Sequence, residues 1–479
     1  MNKFKLTVLA ASLGLAPLAH ADTNAEILAE LQALKAKVQQ LEAQVKAQQA
    51  QIDDNQKATD EASKVANHAD VQVAGIKQAS ESSGFMGLKI SGMIAPAYVY
   101  NQDQQASSFV FLNRSNQAAG GSTIYNYDNS YFGSAYLQFQ KETAGGVKWN
   151  LTLAPDRGAG TLMNGNSIIH EASVAIPMNS DTKLIAGQIP DWEGYESTWD
   201  NQIKPITHNL LFDFTELTAY TGVGLDQTVG NWEWKAMIAN MNSPRYYYSG
   251  SGGRAPALVF RADYTPPGYD NADIGVWAMV GKLPNSNVAA NGTTPLFPTG
   301  TSTAQMVEVD GYMTNGDWGY YGQVGYGQQT GAAYNGGKAK WWGASGMLTY
   351  NFTPRFLGFA RADYLNNSSN GGGLPGGYMN ASSAVGVSGT PADSFNSING
   401  FGPGYVYDPV SGAWSITDPN KGANRFALSL GWNYLLTEST TLKMEYRYDR
   451  SNLATFYNVS DGSFKKYNNL LAASVVVSF

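Results

Sequence analysis

The chain has 479 residues, no cysteine and a formal net charge of −7. Charged residues make up 14% of it, against roughly 25% in ordinary soluble domains. The lack of cysteine excludes a disulfide framework and thiolate metal sites, and the acidic balance without any basic stripe excludes nucleic acid as a partner.

Residues 1–21 read as an export signal. Lys3 and Lys5 form a positive start, Leu6 to Leu18 an apolar stretch, and Ala19-His20-Ala21 a small-x-small pattern before Asp22. The apolar stretch is shorter than the ~20 residues a spanning helix requires. No later apolar run reaches that length, so any part embedded in a bilayer must be a closed barrel, which pairs its backbone polar groups internally.

Residues 22–83 follow a different rule. Leu31, Val38, Val45 and Ile52 occupy the a positions of a heptad, with Ile27, Leu34, Leu41 and Gln48 at d. The register continues more weakly through Asn55, Thr59, Ala62, Ala66, Ala69, Val73 and Ile76, among good helix formers. The spacing predicts a helical coiled-coil arm with a rod of about 75 Å at 1.5 Å per residue. An amphipathic helix lying on a surface is the alternative, but the seam is narrow and the polar face carries both charge signs. Val at a with Leu at d favours two strands; Gln48 in the seam leans elsewhere. Gly84-Phe85-Met86-Gly87 ends the pattern.

From 84 to 479 the period is 2. Leu88, Ile90, Gly92 and Ile94 alternate with Lys89, Ser91 and Met93; Phe426, Leu428, Leu430 and Trp432 alternate with Ala427, Ser429 and Gly431. One face suits lipid and the other water, which predicts an all-β transmembrane barrel of antiparallel strands. Sixteen strands are expected near 88–100, 130–140, 147–154, 167–176, 182–189, 217–225, 231–240, 257–265, 273–282, 306–314, 318–328, 341–351, 355–364, 425–435, 440–450 and 468–479. Connections after even-numbered strands are tight, as at Asn315-Gly316-Asp317 and Thr437-Glu438-Ser439. Those after odd-numbered strands are long and rich in Gly, Asn and Ser, the first being 101–129. Such sorting fits short periplasmic turns and long external loops.

The last strand steps through Asn469, Leu471, Ala473, Val475, Val477 and Phe479, which resembles the sorting signal of Gram-negative outer-membrane proteins and implies the barrel-assembly machinery as a partner. Residues 88–479 resemble trimeric 16-stranded porins, and the arm with the barrel resembles porins carrying an N-terminal periplasmic coiled coil, such as the sucrose-porin type. Sugar porins have 18 strands, so no sugar specificity is implied. Closer still, Ser91-Gly92-Met93-Ile94, Tyr125-Asn126-Tyr127-Asp128-Asn129-Ser130-Tyr131-Phe132-Gly133 and Gly187-Gln188-Ile189-Pro190-Asp191-Trp192 resemble a proteobacterial outer-membrane family of unknown function.

The resemblance implies a water-filled lumen. Lys89, Lys148, Lys183, Glu233, Lys235, Arg261, Asp263, Glu308, Asp310, Arg361, Asp363, Lys443, Glu445, Arg447 and Asp449 take the inward phase and are candidates to line it. The alternative is that they pair into ion clusters that stiffen the wall. Their signs are mixed, so no ionic preference follows. In 16-stranded porins the third loop folds inward. Here its place falls to about 190–216, with Asp191, Trp192, Glu193, Tyr195, Glu196, Trp199, Asp200, Lys204 and His208 as constriction candidates.

No catalytic constellation stands out. His68 falls in the arm, His170 on the apolar phase of its strand, and His208 in the third loop. The chain has no Gly-x-Ser-x-Gly elbow, P-loop or His-Glu-x-x-His motif, so neither an enzyme nor a cofactor or metal is expected. Passive diffusion of small hydrophilic solutes is the leading expectation, with a homotrimer in outer-membrane lipid and a periplasmic arm. A ligand receptor and a tether gripping peptidoglycan or a periplasmic partner through the arm are the rivals.

Overall fold

The computed structural model describes residues 23–82, 87–103, 106–111, 132–154, 168–217, 219–242, 256–269, 271–285, 297, 300–373, 402–410, 413–458 and 460–479. The export signal lies outside them. The chain forms two units, residues 1–86 and 87–479.

The first unit contains one helix, α1 (Thr23–Ser82), of 60 residues. At 1.5 Å per residue it is about 90 Å long. It exceeds the expected rod because it continues through Gly75, where a helix tolerates glycine at a cost of about 1 kcal/mol. Leu31, Leu34, Val38, Leu41, Val45 and Ile52 are all exposed in the single chain, by 47% to 64%. The seam therefore buries nothing by itself.

The second unit begins with β1 (Leu88–Ile94), β2 (Ala97–Asn101), β3 (Ala106–Val110), β4 (Ala135–Glu142), β5 (Lys148–Leu153), β6 (Ile169–Pro177) and β7 (Thr182–Pro190). A short helix, α2 (Leu210–Phe214), precedes β8 (Ala219–Val229), β9 (Trp232–Asn242), β10 (Ala257–Tyr264) and β11 (Ala272–Pro284). Next come β12 (Thr301–Asn315), β13 (Trp318–Gln329), β14 (Ala339–Thr353), β15 (Phe356–Asn366) and the small hairpin β16 (Tyr405–Asp408) with β17 (Ala413–Ile416). The chain ends with β18 (Arg425–Thr437), β19 (Thr440–Ser451), a second small hairpin of β20 (Phe456–Asn458) and β21 (Ser463–Lys465), and β22 (Tyr467–Ser478).

Eighteen of these segments form one antiparallel sheet. It closes because β22 pairs with β19 on one side and with both β1 (Met93↔Ser478) and β2 (Ala97↔Ser474) on the other. Pro96 has no N–H to give to a ladder, and β1 and β2 are the two halves of one strand broken at that point. Their partners β4 and β3 are likewise halves of the next strand. The barrel thus has sixteen strands, the expected count.

One connection differs from expectation. The first strand does not lead into a long loop over 101–129. Instead β2 pairs at once with β3, from Asn101↔Ala106, and the long connection falls between Val110 and Ala135. The even-numbered turns are as short as expected; at two of them Gly230 and Gly316 adopt the positive φ of 60° and 59° that a two-residue hairpin demands.

Outward-facing Val223, Leu225, Ile238, Leu258, Ile274, Val307, Val324 and Leu430 are exposed, an apolar band that suits lipid. Rings gather towards the short-turn end: Trp232 on Tyr264 at 4.7 Å, Trp318 on Tyr350 at 4.6 Å and Phe352 on Phe356 at 5.6 Å. The inner face is less uniform than alternation implies. Towards the long-loop end, Met237, Met241, Val259, Trp277, Met279, Leu283, Trp341 and Leu365 form a buried apolar cluster inside the barrel, filled by Leu210, Phe214 and Leu217. His170 also departs from expectation. Opposite it the β5–β6 register shifts between Thr152 and Leu153, so that it turns inward and packs edge-on against Trp199 at 4.7 Å.

Candidate functional site

The third long connection, described over 191–217, lies inside the barrel. Asn209 caps α2: its side chain accepts from the backbone N–H groups of Leu211 at 2.8 Å and Phe212 at 3.0 Å, which starts a helix inside the lumen. Every residue of that helix is buried. The turn before it, 200–208, is fastened to the wall made by β15, β18 and β19.

The fastening is charge-assisted. The Arg361 guanidinium donates to Glu196 Oε1 at 2.7 Å, to the Thr207 carbonyl at 2.7 Å, to Thr207 Oγ1 at 3.0 Å and to the His208 carbonyl at 2.9 Å. Glu445 accepts from the backbone N–H groups of Ile206 and Thr207, both at 2.7 Å, and from the Thr207 hydroxyl. The Lys443 ammonium donates to the carbonyls of Asp200, Ile203 (2.8 Å) and Pro205 (3.1 Å). Arg447 reaches the His208 carbonyl at 2.7 Å and Asp213 at 3.8 Å, while Asp449 holds both Arg447 and Arg425. In a dry setting such bonds are shorter and stronger than neutral ones, and they satisfy backbone groups that a buried irregular loop would otherwise leave orphaned.

Rings fix the rest. Trp199 packs on Tyr136 at 4.6 Å, Trp192 on Tyr220 at 5.1 Å and His208 on Phe212 at 3.9 Å. Tyr195 bonds Ser345 through its hydroxyl at 2.8 Å, and the Glu193 carboxylate accepts from Leu217 N–H at 3.1 Å and Tyr220 at 3.3 Å. Asp200 accepts from Ser134 at 3.3 Å, and burial lifts its pKa to about 6. Burial pushes the Glu193 carboxyl well above the usual carboxylate range, and neighbouring Asp191 and Glu308 push it the same way. Burial lowers the Lys204 ammonium. All nine constriction candidates thus belong to a loop seated in the barrel.

The inward charges divide into two groups. Arg361, Asp363, Lys443, Glu445, Arg447 and Asp449 are buried to 4% exposure or less. They do not face water, as lining residues would; the loop covers them, and they are its mooring. The reason is that each loop carbonyl and N–H brought into the lumen needs a partner, and this wall supplies them. The second group stands on β7–β10, where Lys183, Asp226, Lys235 and Arg261 sit in cross-strand register. Lys183 meets Asp226 at 3.7 Å, Lys235 meets Glu233 at 2.7 Å, and Arg261 meets Asp263 at 2.7 Å and Asp310 through both of its terminal nitrogens. Glu308 is buried beside them. Lys89 is exposed near the short-turn end, as is Lys148, which meets Glu142 at 3.3 Å.

The inner face is half-buried chiefly along β4–β10, at Gln138, Gln140, Asn150, Ser173, Lys183, Asp226, Lys235 and Asp263. A cavity of about 270 Å³ lies here between the loop's leading edge (Asp191, Trp192, Glu193, Gly194, Glu196) and Lys235, Arg261 and Asp263. The loop leans on one wall and leaves the opposite wall wet.

Sequence reasoning missed Thr207, Asn209, Glu216, Gln323, Ser345, Arg425 and Asp226. It also missed the dry apolar part of the lumen, although a signal existed. Val276-Trp277-Ala278-Met279-Val280 is apolar on both phases, which a strand facing lipid on one side and water on the other would not be.

No curated protein matches the chain. Among solved structures, the barrel is similar to the outer-membrane channel DcaP of Acinetobacter baumannii, at 11% identity and a TM-score of 0.46 over 82% of this chain and 97% of that one. Outer-membrane expressed OmpT of Vibrio cholerae gives 10% identity and a TM-score of 0.45 over 82% and 97%. OprD of Pseudomonas aeruginosa gives 10% and 0.35 over 82% and 95%. Likenesses this distant say nothing of solute or partner. The family model described as "Protein of unknown function (DUF3138)" matches residues 51–479, and the chain belongs to that family.

Proposed function

We propose that this chain is an outer-membrane porin that passes small hydrophilic solutes, with loop 191–217 as its constriction. The observation that carries the reading is the one-sided seating of that loop. It is moored to β15 and β19 by Arg361, Lys443 and Glu445, while the polar face of β4–β10 stays partly wet. Sixteen strands enclose enough width for an aqueous passage beside such a loop. Planar-bilayer recording tests it: a steady conductance is expected, and deletion of residues 193–208 should raise it without unfolding the barrel. A chain that conducts nothing, or a folded deletant with unchanged conductance, would overturn the reading.

Assembly is part of the same proposal. With an even strand count both barrel ends lie at the short-turn side, which in bacterial barrels is periplasmic. The arm is then periplasmic too, and its exposed seam finds cover against other copies in a homotrimer. The mass of the detergent-solubilised complex, with and without residues 22–83, checks this; a monomeric full-length protein would defeat it. A tether role for the arm, towards peptidoglycan or a periplasmic partner, is compatible with the pore and is separated from it by the conductance of the armless barrel.

A further inference from the structure

We propose that the outer face of β11–β14 is a binding site for a lipid with a phosphate-bearing headgroup, anchored by Lys282 and Lys340 at the long-loop end of the barrel. The site rests on the channel reading only for its orientation, long loops outward, and needs no conduction.

Along β11 the inward residues Trp277, Met279 and Leu283 are buried while Val280 and Lys282 are exposed; along β14 Ala339 and Trp341 are buried while Lys340 and Trp342 are exposed. Both lysines therefore point away from the lumen, on the wall that meets lipid. Outward Tyr326 and Trp342 pair across β13 and β14, and Trp342 packs on Tyr364 at 5.3 Å. These rings lie at the far end of the wall from Trp318 and Tyr350 and form the second aromatic girdle, the mark of a membrane–water boundary. Lys340 comes two residues from Trp342 on the long-loop side, which is about 7 Å along a strand. An ammonium there stands at headgroup level with its alkyl stem against the apolar wall.

A polar row joins the two bases. Lys282 pairs with Thr303, Gln305 with Gln328, and Gln328 with Lys340, all on the outward phase. Lys282 donates to Thr303 Oγ1 at 2.9 Å and Gln328 to Gln305 Oε1 at 2.7 Å, so the row is held in place above exposed Val280, Val307 and Val324. Its ends stand three strand spacings apart, about 14 Å, which suits a sugar-phosphate headgroup whose acyl chains lie on the apolar band. Among the described residues neither ammonium meets a carboxylate, and no Asp or Glu takes the outward phase of a strand at this end. The exposed turns at the opposite end are mixed in sign, with Asp181, Asp317 and Glu438 against Arg355. Unneutralised bases, amides beside them and an apolar surface beneath complement an anionic lipid, whereas a free anion would leave the apolar part unused.

Native mass spectrometry of the full chain in detergent tests this, with bisphosphorylated lipid A, its dephosphorylated form and inorganic phosphate titrated separately. An ammonium beside an anionic lipid surface is worth about fivefold in binding, so a preference of about 25-fold for the bisphosphorylated form is expected. The double variant Lys282→Gln, Lys340→Gln should lose that preference, whereas Lys421→Gln with Lys465→Gln, two bases in external loops, should keep it. Inorganic phosphate should not displace the lipid. Equal affinity for the two lipid forms, displacement by inorganic phosphate, or an undiminished preference in the Lys282→Gln, Lys340→Gln protein would each overturn the proposal. An equal loss in the Lys421→Gln, Lys465→Gln protein would do so too, since any surface base would then serve. The wild-type comparison of the two lipids stands even if a variant does not fold. No arm of the assay reads conductance, so a barrel that binds the lipid but passes no current would overturn the channel reading alone.

Discussion

Replacing Arg361 with methionine should loosen the loop without opening the barrel. The guanidinium makes four hydrogen bonds to the loop and contacts Asp363 at 3.3 Å and Glu445 at 3.9 Å. Methionine fills much of the volume but leaves Glu196, whose side chain is 1% exposed, without its countercharge. Removing one partner of a buried, hydrogen-bonded ion pair costs about 3–5 kcal/mol. At 1.4 kcal/mol per tenfold, the ratio of docked to undocked loop falls ~10²- to 10⁴-fold. Lys443 and Arg447 still hold the turn, so the expected record is a wild-type conductance interrupted by larger openings, not a permanently wider pore. Thr207→Val removes one hydroxyl, which bonds both Arg361 and Glu445, and should act in the same direction by about 1.5–3 kcal/mol. Single-channel recording of each variant is the assay, with far-ultraviolet circular dichroism to confirm the β content. A folded Arg361→Met protein with wild-type amplitude and noise would refute the mooring argument.

Gly92→Ala should weaken the seam of the barrel. A Cβ there would meet the Phe479 ring at 2.5 Å and the Tyr136 carbonyl oxygen at 2.8 Å, and the latter cannot step aside. A loss of about 1–3 kcal/mol follows from overpacking, read as a lower thermal midpoint in detergent; an unchanged midpoint would count against it. Burial raises Asp103 from 3.8 to about 7, so the folded protein binds a proton between those values that the unfolded chain has released. Its contribution to stability is therefore fully present below pH 3.8 and is lost as pH rises towards 7. Asp103→Asn should flatten the thermal midpoint over that window, and a slope equal to wild type would show that the group titrates elsewhere. Trp199→Ala should uncover His170, which is 1% exposed, to diethylpyrocarbonate. Modification mapped by mass spectrometry at equal rates in wild type and variant would refute the shielding.

The strand set was legible because a lipid-facing wall imposes period 2 for hundreds of residues, and the short turns marked every second boundary. The second strand was the exception. Its first half, Ala106–Val110, is too short to show a period, and the insertion after it hid the pairing with β2. The place of the inward loop followed from its ordinal position, but its mooring did not. Arg361, Lys443 and Glu445 occupy the inward phase like any lining residue, and only tertiary contact decides whether such a charge meets water or a backbone carbonyl. His170 shows the same limit in a strand, since one β-bulge reverses the face that alternation assigns.

The mooring also orders assembly in time. Ile206 and Thr207 find Glu445 across sequence separations of 239 and 238 residues, and the docking wall is built from the last strands of the chain. The loop has nothing to bind until β15, β18 and β19 stand side by side. Maturation is then expected in two stages: the wall of β15, β18 and β19 forms first, with Arg361 and Glu445 still hydrated, and the loop folds inward against it afterwards. Trp199, which becomes dry only when the loop seats against Tyr136 and His170, would report the second stage by fluorescence after the β signal has already reached its plateau.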